Sequence, residues 1–213
     1  MLARNDLLVE ITEKLTYVMP DWDEIARIFS DNSDRYPKKN TKQQRILTGY
    51  LGELHLRVSL EKSCEGLEER VAFNPIKEGD STKNYRFKFS CGQLYAVNKS
   101  NRRYHSEIDQ IVLVDGMPVL FEIKITSSSK HRGGSRGISC YMREERINYV
   151  IKPIKELFNS NCGYVFVVSR NKIKPTSPVQ QNFERMGAII VPLYTDGNGF
   201  ENDALTAKFR YGL

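Results

Sequence analysis

Asp109, Glu122 and Lys124 stand where burial should exclude charge, inside the two apolar runs 107–114 and 119–125. Two carboxylates brought face to face repel each other, and the arrangement costs stability unless a cation lies between them. A divalent metal is the natural cation. Oxygen-only ligands suit Mg²⁺ or Mn²⁺ better than zinc, and Mg²⁺ commonly takes one or two carboxylates together with waters and substrate phosphate. A lysine two residues beyond the second carboxylate can orient or deprotonate an attacking water and steady the charge of a phosphorane-like transition state. Together these groups have the chemistry of phosphodiester hydrolysis.

The elements that position them read as two strands. Both runs are rich in β-branched residues, and Asp115-Gly116 between them is a strong hairpin signal. Alternation along a strand puts Asp109 on the face of Ile111 and Leu113, and Glu122 and Lys124 on the face of Leu120. A two-residue loop sets Asp109 opposite Glu122, and a four-residue loop sets it opposite Lys124. Either keeps all three side chains on one face, whereas a three-residue loop separates them. The plain alternative is that Asp109 and Glu122 are edge-strand charges paired with Lys124 or Arg103.

Asp109, twelve intervening residues and then Glu122-Ile123-Lys124 after an apolar strand resembles the PD-(D/E)xK nuclease superfamily. No proline precedes the aspartate, because Glu107-Ile108 stands there. That Glu-Ile-Asp form is similar to archaeal Holliday-junction resolvases and related restriction-type enzymes. The resemblance implies an α/β restriction endonuclease-like αβββαβ core with a mixed central sheet flanked by helices. Residues 41–213 would form that single unit, and residues 1–40 an N-terminal helical addition. It further implies Mg²⁺ or Mn²⁺ held by Asp109 and Glu122 with the Ile123 carbonyl, water oriented by Lys124, and help from Glu53 on the first core helix. The local alternative for Glu53 is an i,i+4 pair with Arg57.

The expected function is therefore a metal-dependent DNA endonuclease, structure-selective in recombination, repair or viral DNA processing, acting on branched or duplex DNA as a symmetric dimer. A restriction-type enzyme, a silent DNA-binding protein that keeps the fold, and an enzyme of RNA or nucleotides are the alternatives.

Around this motif the chain reads as follows. Leu7, Leu8, Ile11, Leu15 and Val18 have helical spacing behind an Asn5 or Asp6 cap, and a short helix runs from Asp21 to Phe29. These helices are either core cover or a dimer contact or substrate clamp. A charged connector follows, with Lys38 and Lys39 available to phosphate. Thr41 caps a long helix with Leu47, Tyr50, Leu51, Leu54 and Val58 as its apolar stripe and His55 at the surface or its boundary. Val71–Phe73, Tyr85–Phe89 and Gln93–Val97 alternate as strands, with 90–92 as a turn. Tyr85, Phe87 and Phe89 face one way and Arg86 and Lys88 the other, so one sheet face is solvated or serves as a stacking platform for bases. The basic run Lys99, Arg102, Arg103 and His105 precedes Glu107 and either meets a phosphate beside the metal or forms a charged turn.

Beyond Lys124, the glycine-rich stretch 126–137 carries Lys130, Arg132 and Arg136. It is expected to be a mobile loop that either contacts DNA or merely connects. Residues 139–158 are helical, with Pro153 expected to kink or break the helix. Strand 163–168, helix 179–186 and strand 188–193 form a parallel unit.

The 213 residues carry a net charge of +6 with 40% hydrophobic content, as befits one folded domain with a basic surface suited to nucleic acid. Cys64, Cys91, Cys140 and Cys162 lack metal-site spacing and read as neutral thiols of a reducing compartment, with a disulfide expected only in a hyperthermophile. Without a signal peptide or bilayer-length apolar run, the expected location is intracellular.

Overall fold

The computed structural model describes residues 2–19, 21–31, 41–90, 93–124, 142–169 and 178–193. It is an α/β structure of two sheets. The larger is mixed and contains β1 (Val71–Phe73), β5 (Gln110–Val114), β6 (Met117–Lys124), β7 (Gly163–Ser169) and β8 (Ile189–Leu193), in the order β1-β5-β6-β7-β8. The smaller holds β2 (Tyr85–Ser90), β3 (Gln93–Asn98) and β4 (Tyr104–Ile108), all antiparallel. β1, β5 and β6 pair antiparallel, whereas β6, β7 and β8 run parallel. Helices α4 (Glu144–Phe158) and α5 (Pro178–Arg185) lie between the parallel strands in the chain. The expected strand-helix-strand unit at the C-terminal end is therefore present.

The hairpin that organises the site has the two-residue loop. Val114 pairs with Met117, and Asp115 (φ 50°) and Gly116 (φ 76°) both take the left-handed conformation that a type I′ turn requires. Arg70 clamps the Asp115 carboxylate with two bonds of 2.8 and 2.7 Å. Because the loop is even, Ile111 of β5 shares one apolar cluster with Leu120 of β6, and Val112 and Val114 share the other with Val119, Phe121 and Ile123. Glu122 and Lys124 share Leu120's parity. β6 is the middle strand of five, so the edge-strand reading of Glu122 does not hold.

The strand expected over 107–114 is in fact two. β4 ends at Ile108 in the small sheet, β5 begins at Gln110 in the large one, and Asp109 is the bend between them. The ladder to β6 stops at Gln110 and Phe121, and beyond it the Ile123 N–H donates to the Asp109 carboxylate at 2.9 Å. A side-chain acceptor replaces a backbone one, which lets the chain leave one sheet for the other without orphaning that donor.

Helix α1 (Asp6–Tyr17) is capped by Asn5, whose side chain accepts from Leu8 N at 2.8 Å. Its Leu7, Leu8, Ile11 and Leu15 join Leu56 and Leu60 of α3 (Thr41–Ser63) against Val119, Phe121 and Ile123. Of the roles open to it, α1 takes that of core cover. Helix α2 (Trp22–Asp31) runs two residues past Phe29.

Several local expectations and alternatives are decided here. His55 is fully buried, not at the surface, and burial pushes its pKa down to about 3. Arg57 pairs at 3.0 Å with Glu61, one turn further along α3, rather than with Glu53. Of the kink or break expected at Pro153, the break does not occur, since helix α4 runs through that residue. Tyr85 and Phe87 are buried, but Phe89 near the end of β2 is exposed. Cys64 and Cys162 are buried free thiols, which burial raises to about 11 and about 12; Cys91 and Cys140 lie outside the described residues. No described helix is long and apolar enough to cross a membrane.

Candidate active site

Four elements converge where the two sheets meet. The β4–β5 bend supplies Asp109, β4 supplies Glu107 on the same strand face, α3 supplies Glu53, and the end of β6 supplies Glu122 and Lys124. One oxygen from each of Glu53, Glu107 and Asp109 lies within 4.8 Å of the others. Lys124 Nζ stands 3.4 Å from Asp109 Oδ2 and 3.4 Å from Glu122 Oε1, so those two carboxylates are bridged by one ammonium. Asp109 and Glu122 are nearly enclosed, their side chains each 6% exposed.

Each carboxylate is held by its neighbours. Glu53 accepts from Gln93 Nε2 at 3.2 and 3.3 Å, and Gln93 Oε1 in turn accepts from Tyr95 O–H at 2.6 Å. Glu122 accepts from the buried Tyr164 O–H at 2.6 Å, with Arg146 of α4 3.9 Å away. Glu122 is thus anchored from β7 and α4, and the acidic triad does not include it. Among the described residues, the carboxylates that stand close enough to share one ion are Glu53, Glu107 and Asp109, while Glu122, expected as a ligand beside Asp109, lies across the Lys124 ammonium from it.

The electrostatics follow from crowding in a poorly hydrated corner. Burial, and then the Asp109 charge, raise the Glu53 pKa to about 8, against the lowering effect of Gln93. Glu107 and Asp109 are also raised, by burial first. Lys124 opposes the shift at all three. Burial and the facing Glu122 hold the Tyr164 phenol well above its usual range, so it remains a donor.

The donor set fits a hard divalent cation. It is all oxygen, and the like-charge repulsion that raises these pKa values is what a cation relieves. Ile123, whose side chain is buried in the core, meets the site through its N–H to Asp109.

Some of the expected phosphate contacts belong to the small sheet and others lie outside the described residues. Arg102 and Arg103 occupy the β3–β4 turn, where the Arg102 N–H donates to Asn98 and the Arg103 carbonyl accepts from it. Arg103 lies six positions before Asp109 with β4 between them, a span of at most roughly 20 Å if fully extended. His105 is turned inward, bonding the Tyr149 carbonyl at 2.8 Å and stacking on its ring. Lys38, Lys39, Lys130, Arg132 and Arg136 lie outside the described residues.

Glu107, Gln93, Tyr164 and Arg146 were not expected in the site. The signal for Glu107 was its i,i+2 spacing from Asp109, which puts both on one strand face. Tyr164, a lone hydroxyl in an apolar strand, had to find a buried partner. Gln93 and Arg146 left no signal, because their roles depend on pairing between elements distant in the chain. No protein-family model and no curated protein matches the chain.

Proposed function

We propose that the protein is a metal-dependent DNA endonuclease with a restriction endonuclease-like core, structure-selective in the manner of a Holliday-junction resolvase. The observation that carries this reading is the convergence of Glu53, Glu107 and Asp109 within 4.8 Å, beside a lysine 3.4 Å from Asp109. The order of elements supports it as well: a long helix, an antiparallel group, then helix, strand, helix, strand.

Glu53, Glu107 and Asp109 would hold Mg²⁺ or Mn²⁺ through one oxygen each. When bound, the ion supplies Lewis acidity toward a phosphodiester oxygen. Lys124 directs its ammonium to the same corner, where it orients the attacking water and offsets charge building on the phosphate. Glu122 keeps Lys124 in place, and Tyr164 keeps Glu122. Gln93 fixes the Glu53 carboxylate, and the Ile123 N–H fixes Asp109. A symmetric dimer would present two such sites to two strands of a branched substrate.

The test is incubation of the protein with four-way, duplex and single-stranded DNA in Mg²⁺ or in EDTA. Cleavage in Mg²⁺ alone, strongest on branched DNA, is expected. Cleavage that persists in EDTA, or none on any substrate with Mg²⁺ or Mn²⁺, removes the reading.

A further inference from the structure

The outer face of the small sheet leads directly out of the acidic site, and its residue types are unusual for a merely solvated surface. Register places Lys88, Tyr95 and Glu107 in one row across β2, β3 and β4, and Arg86, Val97 and Tyr104 in the next. Gln93, which holds Glu53, begins the same face on β3. A bulge at Ala96/Val97 brings Tyr104, rather than His105, opposite Val97. Tyr104 therefore lies outward beside Tyr95, ring centroids 4.9 Å apart, while His105 packs inward on Tyr149. Tyr104 is 63% exposed and Arg86 and Lys88 are exposed. Glu107, at the catalytic end, is the sole acidic side chain in these two rows.

We infer that this face binds single-stranded nucleic acid, with bases stacked on Tyr104 and Tyr95 and phosphates on Arg86 and Lys88, and delivers the strand to the carboxylates at Glu107. The inference deepens the nuclease reading and rests on it for the meaning of the delivery, though not for the binding itself. An aromatic ring offers its face to any base, and stacking needs that base free of a duplex. Two exposed cations in the same rows suit a backbone that passes beside the stacked bases. The face adjoins the site by direct pairing, since Tyr95 is opposite Glu107 and its hydroxyl bonds the glutamine that holds Glu53. The substrate class that fits is a nucleic acid with an unpaired segment next to the scissile phosphate, as at a flap or a branch.

The experiment measures binding of labelled oligo-dT, oligo-rU and a duplex of equal length by fluorescence anisotropy, in EDTA so that no strand is cut. Wild type is compared with Tyr104→Ala, Tyr104→Trp and the pair Arg86→Ala/Lys88→Ala. Wild type should prefer single strands, and Tyr104→Ala should weaken them about 5- to 150-fold, the range of one lost base stack, with little effect on duplex. Tyr104→Trp should restore the affinity. The double variant should flatten the salt dependence of single-strand binding, with a slope reduced by roughly 1.4. The dT and rU arms decide between DNA and RNA. A wild type that prefers duplex, or a Tyr104→Ala protein that binds single strands as tightly as wild type, overturns the inference. Because no arm requires cleavage, an inactive enzyme that binds in this way would overturn only the nuclease reading.

Discussion

At the carboxylates, the competition is between burial, which favours the neutral acid, and Lys124 with the Gln93 and Ile123 donors, which favour the anion. Glu53 loses that competition without metal, since its pKa lies near 8. The folded state then binds more protons than the unfolded chain between about pH 4.5 and 8, so this group makes stability fall as pH rises through that window. In EDTA, Glu53→Gln should remove a pH-dependent loss on the order of a few kcal/mol, seen as a flatter melting temperature against pH. An unchanged profile would place the titration elsewhere. Asp109→Asn and Lys124→Ala should each abolish cleavage and leave most DNA affinity, because they remove metal binding and water orientation rather than phosphate contacts. Normal cutting by either variant would remove the proposed site. Tyr164→Phe leaves a buried carboxylate short of a 2.6 Å donor and should cost about 1.5–3 kcal/mol in urea unfolding. It should reduce the cleavage rate less than Asp109→Asn does, since it acts through Glu122.

Among the elements, the β5–β6 hairpin sets the parity on which the site depends, and the Asp109 bend sets its place between the sheets. Gly116 sits at φ 76° with no atom within 4 Å of where a Cβ would stand, so a substitution there meets backbone strain rather than a clash. Gly116→Val should therefore cost about 1–2 kcal/mol. Its site geometry should survive, because β6 is also registered by its parallel pairing with β7. Circular dichroism melts and cleavage at a permissive temperature check both parts. Loss of activity out of proportion to stability would mean that the turn alone holds the register. His55 shows the other limit of element-level reading. One turn of α3 directs Glu53 to the carboxylates and His55 into the core, two residues apart on a helix whose apolar stripe alone did not mark His55 as buried.

For the whole molecule, the candidate site lies where the mixed sheet, the small sheet and α3 meet, so an ion bound there would tie together parts distant in the chain. A ligand that binds only the folded state at a hundred times its dissociation constant adds about 2.7 kcal/mol. Mg²⁺ or Mn²⁺ should accordingly raise the melting temperature of wild type and not that of Asp109→Asn. Equal shifts in both proteins would mean that the ions bind elsewhere.

Local chemistry made some of this legible from residue types alone. Asp115-Gly116 marks a hairpin because few other pairs take two positive φ values, although the choice between a two-residue and a four-residue loop was settled only by the strand register. Period-2 alternation then puts Glu122 and Lys124 on one face whatever the rest of the chain does. The short continuous apolar run 163–168 marks a buried strand, and the Asn5 cap and 3.6-period stripe mark α1, each from local sequence. What crosses the chain could not be read in this way. The break at Asp109 depends on a second sheet competing for residues 104–108, and Glu53 meets Asp109 only because α3 packs against the large sheet. Glu122 is held by Tyr164, forty-two residues away, through a strand pairing that no local pattern encodes. Periodicity fixes the face of an element, but which faces meet is decided by how the elements bury their apolar sides together, and the partners of a buried charge follow from that packing.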